Sequence, residues 1–288
     1  MSIKEELFKM IKEKRPKLSD SSTRTYVSLL STLYKKLEGE DKEFFEDHEK
    51  PIINYIKEMS SAQSRKTICS ALFVLTEKPI YRALMMDDVK EVNDKYKTQK
   101  PNTDKIMRTF DEIKATHQML LEKLKKNPSI DNYVNAIISY LSTGVLNDLP
   151  PRRLQDYAFM KTKGYDKDKE MNNYMDKKNF VFNVYKTHER YGTQTIAIPM
   201  ELMTLIKKWK KINDSEYLLI TDEKGTPFNP SSLSKRLTSL FGVSVDGLRS
   251  IYLSSVYKDM PKIEEMEKRA YQMGHSVSSA LNYYVKKD

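Results

Sequence analysis

A chain of 288 residues is long for one small core and comfortable for two. Lys and Arg number 50 against 40 Asp and Glu, a formal charge of +10 that points toward a polyanionic partner, either nucleic acid or an anionic membrane surface. No run approaches the ~20 apolar residues a spanning helix needs, and the opening MSIKEELFKMIKEKRPK has no apolar signal core, so a membrane-embedded or secreted protein is not expected.

In chain order, the first hundred residues read as about four or five short helices separated by polar breaks. In SDSSTRTYVSLLSTLYKKL a Ser/Thr cluster offers an N-cap, and Tyr26, Leu29, Leu30, Leu33 and Leu37 recur near helical spacing. SSAQSRKTICSALFVLTEK repeats the design with Ile68, Leu72 and Leu75 inward. Its Cys69, the only cysteine, falls in the apolar pattern and reads as core. KYKTQKPNTDK suits a linker, so a helical domain over residues 1–100 and a second domain over 101–288 are expected.

Beyond the linker, Ile106, Phe110, Ile113, His117, Leu120 and Leu124 step by threes and fours along one helix that ends near Asn127-Pro128. His117 lies on that apolar face and reads as a core histidine. YVNAIISYLSTGVL is a second apolar segment, which Pro151 should stop. GYDKDKEMNNYMDKKN is polar enough for a mobile loop, after which KNFVFNVYK and TQTIAIP form a hairpin across THERYG. EYLLI reads as a further short strand, and SSLSKRLTSLF and the tail from Pro261 as helices. The chain is thus expected to be mainly α with a small β-sheet, an α+β arrangement. The histidines at 48, 117, 188 and 275 and the lone cysteine form no metal-ligand spacing, so no metal site is expected.

Chemistry-bearing residues gather in the second half. RRLQDYAFMK presents an arginine three residues before an acid, NVYKT ends its apolar run in a lysine, DGLRS places an arginine at a turn into a helix, and MGHSVSSALNYYVK sets a Gly-His pair before Tyr283 and Tyr284. This ordered set resembles the catalytic domain of the tyrosine recombinase (phage integrase) family. The resemblance runs over roughly residues 103–288, and the helical first half is compatible with that family's core-binding domain.

The resemblance implies that Arg153 is the first arginine of the site and Asp156 its following acid, with Arg152 beside it leaving a one-residue ambiguity. It implies Lys186 as the hairpin lysine, with Lys177 and Lys178 as alternatives, Arg249 as the second arginine, His275 as the histidine of the Gly-His pair, and Tyr284 as the nucleophile. Asp246 stands where the family usually has a histidine, and an ionised aspartate repels phosphate. Four residues follow Tyr284, where many members have a longer segment that docks on a neighbouring protomer, so either assembly on other surfaces or a shortened sequence is expected.

Such a set fits phosphodiester cleavage. A phenol with a pKa of about 10 needs positive surroundings to attack, two guanidinium forks stabilise charge on phosphate oxygens, and a lysine can protonate the departing oxygen. What the resemblance implies is a site-specific DNA recombinase or integrase acting through a 3′-phosphotyrosyl intermediate. It would be tetrameric on double-stranded DNA, need no cofactor, and work wherever in the cell its target DNA lies. A type IB topoisomerase and a DNA-binding relative without cleavage are the alternatives. Candidate DNA contacts are Arg24 with Ser22 and Thr23, Arg65 and Lys66 with Ser64, and Lys235 and Arg236 with Ser234.

Overall fold

The structure, a computed structural model, describes residues 2–41, 43–97, 108–167, 172–274, 276–279 and 281. It divides into two compact units, residues 1–101 with 261–288, and residues 102–260. Grouping the segment after Met260 with the first unit differs from a single expected boundary near residue 100. Ile106, His275 and Tyr284 lie outside the described residues.

The first unit contains α1 (Ile3–Lys14), α2 (Asp20–Lys36), α3 (Phe44–Asp47), α4 (Glu49–Glu58), α5 (Ala62–Thr76) and α6 (Pro79–Lys97). Three of these helices, α1, α2 and α5, start where a serine oxygen accepts a backbone N–H. Ser2 caps α1 reciprocally with Glu5, Ser19 caps α2 and Ser61 caps α5. Leu7, Ile11, Leu30, Leu33, Phe44, Phe45, Ile52, Ile68, Leu72 and Leu75 close the core, each essentially out of water and contributing roughly 1.5–3 kcal/mol of apolar transfer. Cys69 is buried there, and burial pushes its thiol up to about 11, which keeps it protonated.

The second unit starts with α7 (Phe110–Lys126), capped reciprocally by Thr109 and Glu112, and α8 (Ile130–Thr143), whose residues from Asn132 to Thr143 are all buried. A helix covered on every side is the centre of its unit. It stops at Gly144 in the left-handed region (φ 72), well short of Pro151. The expected proline stop is therefore corrected: a glycine that tolerates this backbone ends the helix first.

A 3-10 turn (Leu154–Tyr157) leads toward an antiparallel sheet of β1 (Tyr174–Asp176), β2 (Asn179–Phe182) and β3 (Gln194–Ala197), in that order. Tyr174 faces Val181 and Phe182 faces Gln194. The expected hairpin is present, but β2 ends at Phe182. Val184 is exposed, and β3 is reached through one helical turn, α9 (His188–Tyr191). β1 occupies part of the stretch expected to be a loop, of which residues 168–171 lie outside the description. EYLLI is corrected as well. Leu218, Leu219 and Ile220 are buried, yet the run makes only isolated bridges, Tyr217 to Lys161 and Ile220 to Pro227.

The unit is completed by α10 (Met200–Trp209), α11 (Pro230–Phe241) and α12 (Val245–Val256). Trp209 is fully buried, stacks on Tyr133 and donates its indole N–H to the Leu218 carbonyl at 2.8 Å. Two helices, α13 (Ile263–Gln272) and α14 (Val277–Ser279), follow. The described architecture is mainly α with one small sheet. Among the described residues no helix is long and apolar enough to cross a membrane, and no cluster of three or more His, Cys, Asp or Glu could hold a metal ion.

Candidate active site

The site in the second unit centres on Asp156, which lies in the 3-10 turn with 4% of its surface exposed. Burial pushes its carboxyl above the usual aspartate range, while the guanidiniums of Arg152, Arg153 and Arg249 all pull it back. Arginines distant in sequence thus converge on one carboxylate, because α12, which carries Arg249, packs on the central α8, and the turn that carries Arg153 packs on α11. Gly144 permits the approach: a Cβ there would lie 2.3 Å from the Tyr252 ring of α12 and 2.9 Å from Pro151.

The neighbouring arginines differ. Arg152 donates from Nε to Asp156 Oδ2 at 3.3 Å and from an Nη to Gln194 Oε1 at 2.7 Å, and lies over the rings of Phe182 (4.0 Å) and Tyr185 (5.0 Å). It is committed to joining the turn to the sheet. Arg153 is half-buried; its carbonyl accepts from the Asp156 N–H at 2.9 Å, while its guanidinium has no hydrogen bond or ion pair among the described residues. Spacing alone does not separate the pair, since either arginine lies within one helical turn of the acid.

Arg249 reaches Asp246 Oδ1 at 3.4 Å on the first turn of α12, with side chains 32% and 86% exposed. A pair so open to solvent is worth less than about 1 kcal/mol, so a phosphate can displace it. Asp246 thus lies next to Arg249, with a carboxyl group at the position where the resemblance implies a histidine.

Lys186 is exposed and without a partner among the described residues. It lies in the turn between β2 and α9 and does not end a strand, a correction that follows from the ladder stopping at Phe182. Lys177, in the left-handed region at φ 52, and Lys178 form the opposite turn, between β1 and β2.

The candidate DNA contacts divide in the same manner. Arg24 is exposed on α2, and Lys66 and Lys235 have side chains without partners among the described residues. Arg65 instead binds Asp88 (2.7 Å), Glu91 (2.8 Å) and the Met59 carbonyl (2.8 Å), tying α5 to α6. Arg236 binds Asn135 at 2.9 Å and Asp131, tying α11 to α8. The expected helix starts also move, because Ser19 and Ser61 already cap the N–H groups of Ser22 and Ser64. Arg24 and Arg65 therefore lie past the open ends of their helices.

The sequence did not single out Asn173, Gln194 or the aromatic pair Phe182 and Tyr185. Asn173 lies in a polar stretch with no apolar period, and nothing local marks it as buried.

No protein-family model matches the chain, and no curated protein sequence matches it. Among solved structures it is similar to a lambda integrase (residues 75–356) dimer bound to a COC′ core site, at 14% identity and a TM-score of 0.49, over 99% of this chain and 97% of that one. It is similar to a lambda integrase tetramer bound to a Holliday junction at the same identity and TM-score, over 99% and 79%. It is also similar to XerA recombinase at 14% identity and a TM-score of 0.34, over 99% and 94%.

Proposed function

We propose that this chain cuts and rejoins DNA as a site-specific tyrosine recombinase, with Tyr284 as nucleophile. The observation that carries the reading is the convergence of Arg153 and Arg249 on the buried Asp156, with Lys186 in a neighbouring loop. Two guanidiniums beside each other repel unless an anion holds them. The buried Asp156 supplies one such charge, and a phosphate would supply the other from solvent.

In this mechanism Arg153 and Arg249 each direct N–H groups to non-bridging phosphate oxygens, stabilising the charge that grows as Tyr284 Oη attacks phosphorus. His275 adds a hydrogen bond to the same oxygens. The bond from phosphorus to the deoxyribose 5′-oxygen breaks, and Lys186 gives that oxygen its proton. The products are a 3′-phosphotyrosyl linkage and a free 5′-hydroxyl, which attacks a second linkage and exchanges strands. The phosphoester bond is conserved throughout, so no nucleotide cofactor is consumed. Double-stranded DNA is the partner, and assembly on two duplexes implies a tetramer. The helical first half serves as a second DNA-gripping domain, and the reaction takes place wherever in the cell the target DNA lies.

The Asp246 carboxylate beside Arg249 favours one other reading, a DNA-binding protein that no longer cleaves. A covalent-trapping experiment separates them, using nicked suicide duplexes tiled across the DNA that flanks the coding sequence. Wild type is expected to yield a phosphotyrosyl adduct on the Tyr284 peptide that Tyr284→Phe lacks. Tight binding without an adduct on any duplex would overturn the recombinase reading and support the second.

A further inference from the structure

Asn173, just before β1, is 7% exposed and uses every hydrogen-bonding position of its amide. Nδ2 donates to the Asp156 carbonyl at 2.7 Å and the Val184 carbonyl at 2.8 Å. Oδ1 accepts from the backbone N–H groups of Asn183 and Val184, both at 2.8 Å. One side chain therefore clips the strand just past β2 to the turn that follows Arg153. It takes over where the ladder ends, since Tyr174 opposite Val181 is the last β1–β2 pair on that side.

The other flank of the same loop is held independently. Arg152 lies over the Tyr185 ring while bound to Asp156, and Tyr185 donates its hydroxyl to the Gly192 carbonyl at 2.7 Å. Lys186 comes next in sequence. Its immediate predecessors, Val184 and Tyr185, are both fixed to the Asp156 turn, by Asn173 and Arg152 respectively. The lysine itself stays exposed and has no partner among the described residues, so these two ties set its reach from Arg153 there.

We propose that Asn173 is a positioning residue for the strand-cleavage step, holding the loop that carries Lys186 at a fixed reach from Arg153 so that the lysine meets the leaving 5′-oxygen. The proposal rests on the recombinase reading for the role of Lys186. The tie itself is independent of that reading, and a misplacement of about 1 Å at such a group can cost about a hundredfold in rate.

Two readouts on Asn173→Ala test it. Backbone amide exchange over residues 183–187 is expected to accelerate, with exchange in α8 unchanged. Cleavage is then compared on an ordinary phosphodiester and on a 5′-bridging phosphorothiolate, whose thiolate leaves without a proton. The variant is expected to lose about tenfold or more on the ordinary substrate and to stay near wild type on the phosphorothiolate, the pattern expected of Lys186→Ala. Equal losses on both substrates, or no loss on either, would overturn the positioning role. Unchanged exchange would overturn the tie whatever the activity. Faster exchange in a protein whose wild type forms no adduct with either substrate leaves the tie standing and removes the recombinase reading. If Asn173→Ala does not fold, Asn173→Asp carries the same readouts, since it is isosteric and still accepts from both N–H groups but loses both donated bonds.

Discussion

Buried polar side chains in this protein are tolerable only where their neighbours balance them. Asp156 is bound by Arg152, with the charges of Arg153 and Arg249 also favouring its ionised form, although its Oδ1 has no hydrogen bond among the described residues. His117 shows the neutral counterpart. Its Nδ1 shares a 2.7 Å hydrogen bond with Ser139 Oγ, the Tyr140 ring packs edge-on at 4.5 Å, and burial holds its pKa below the ordinary 6.5, with Glu201 opposing. The unfolded chain therefore takes up a proton at this position before the folded one does. The stabilising contribution is complete above pH 6.5 and is lost as pH falls through the lower folded value. Wild-type stability in urea unfolding should therefore decrease as pH falls below 6.5. A His117→Phe, Ser139→Ala double variant, which replaces the bonded pair with apolar groups, should lose that part of the pH dependence. A wild type and variant with parallel pH profiles would place the titrating groups elsewhere. The apolar period around His117 made its core role legible in the sequence. The contrast between Arg152 and Arg153 was not legible, because it is decided by Gln194, Phe182 and Tyr185, which come from the sheet.

Among the elements, those whose faces follow from their own periodicity were legible, namely α2, α5 and α7, where one stripe of apolar residues meets one core. Elements decided by tertiary partners were not. β1 is three residues, Tyr174–Asp176, in a polar stretch with no strand period of its own and becomes a strand because β2 offers it a ladder, whereas EYLLI is buried and apolar but makes only isolated bridges. The end of α8 belongs to this second group, and its glycine gives a prediction. Gly144→Ala combines a left-handed backbone with a Cβ driven into the Tyr252 ring and Pro151, neither of which is the loose end of a flexible side chain. Backbone strain and overpacking together should cost about 2–5 kcal/mol of unfolding free energy, read by urea denaturation. Gly242→Ala, at φ 69 with nothing within 4 Å of its Cβ, keeps only the backbone component and should cost about 1 kcal/mol. Equal costs at the two sites would mean that α12 is not pressed against the end of α8. Because Arg249 rides on α12, the proposed recombinase reading also expects the Gly144→Ala substitution to weaken adduct formation beyond what its stability loss accounts for.

For the molecule as a whole, a charge of +10 says that polyanions are attracted without saying which cations touch them. The hydrogen bonds make that division. Arg65 and Arg236 are tied to carboxylates and amides of their own unit, while Lys66 and Lys235 are not tied among the described residues. Each phosphate neutralised on duplex DNA releases condensed counterions, so the logarithm of the binding constant falls with the logarithm of salt by about 0.9 per contact. Lys66→Ala and Lys235→Ala are each expected to lower that slope by about one while leaving the urea midpoint unchanged. Arg65→Ala should do the reverse. Removing its guanidinium leaves Asp88, 6% exposed, without its cation, which should cost about 2–3 kcal/mol of stability with the salt slope intact. Fluorescence anisotropy on one duplex across a salt series, paired with urea unfolding of the same preparations, reads both quantities. If Arg65→Ala flattened the slope as the lysine variants do, its ion pairs would have to open on DNA. The first unit would then grip the duplex by exchanging internal carboxylates for phosphates, not by presenting cations already free.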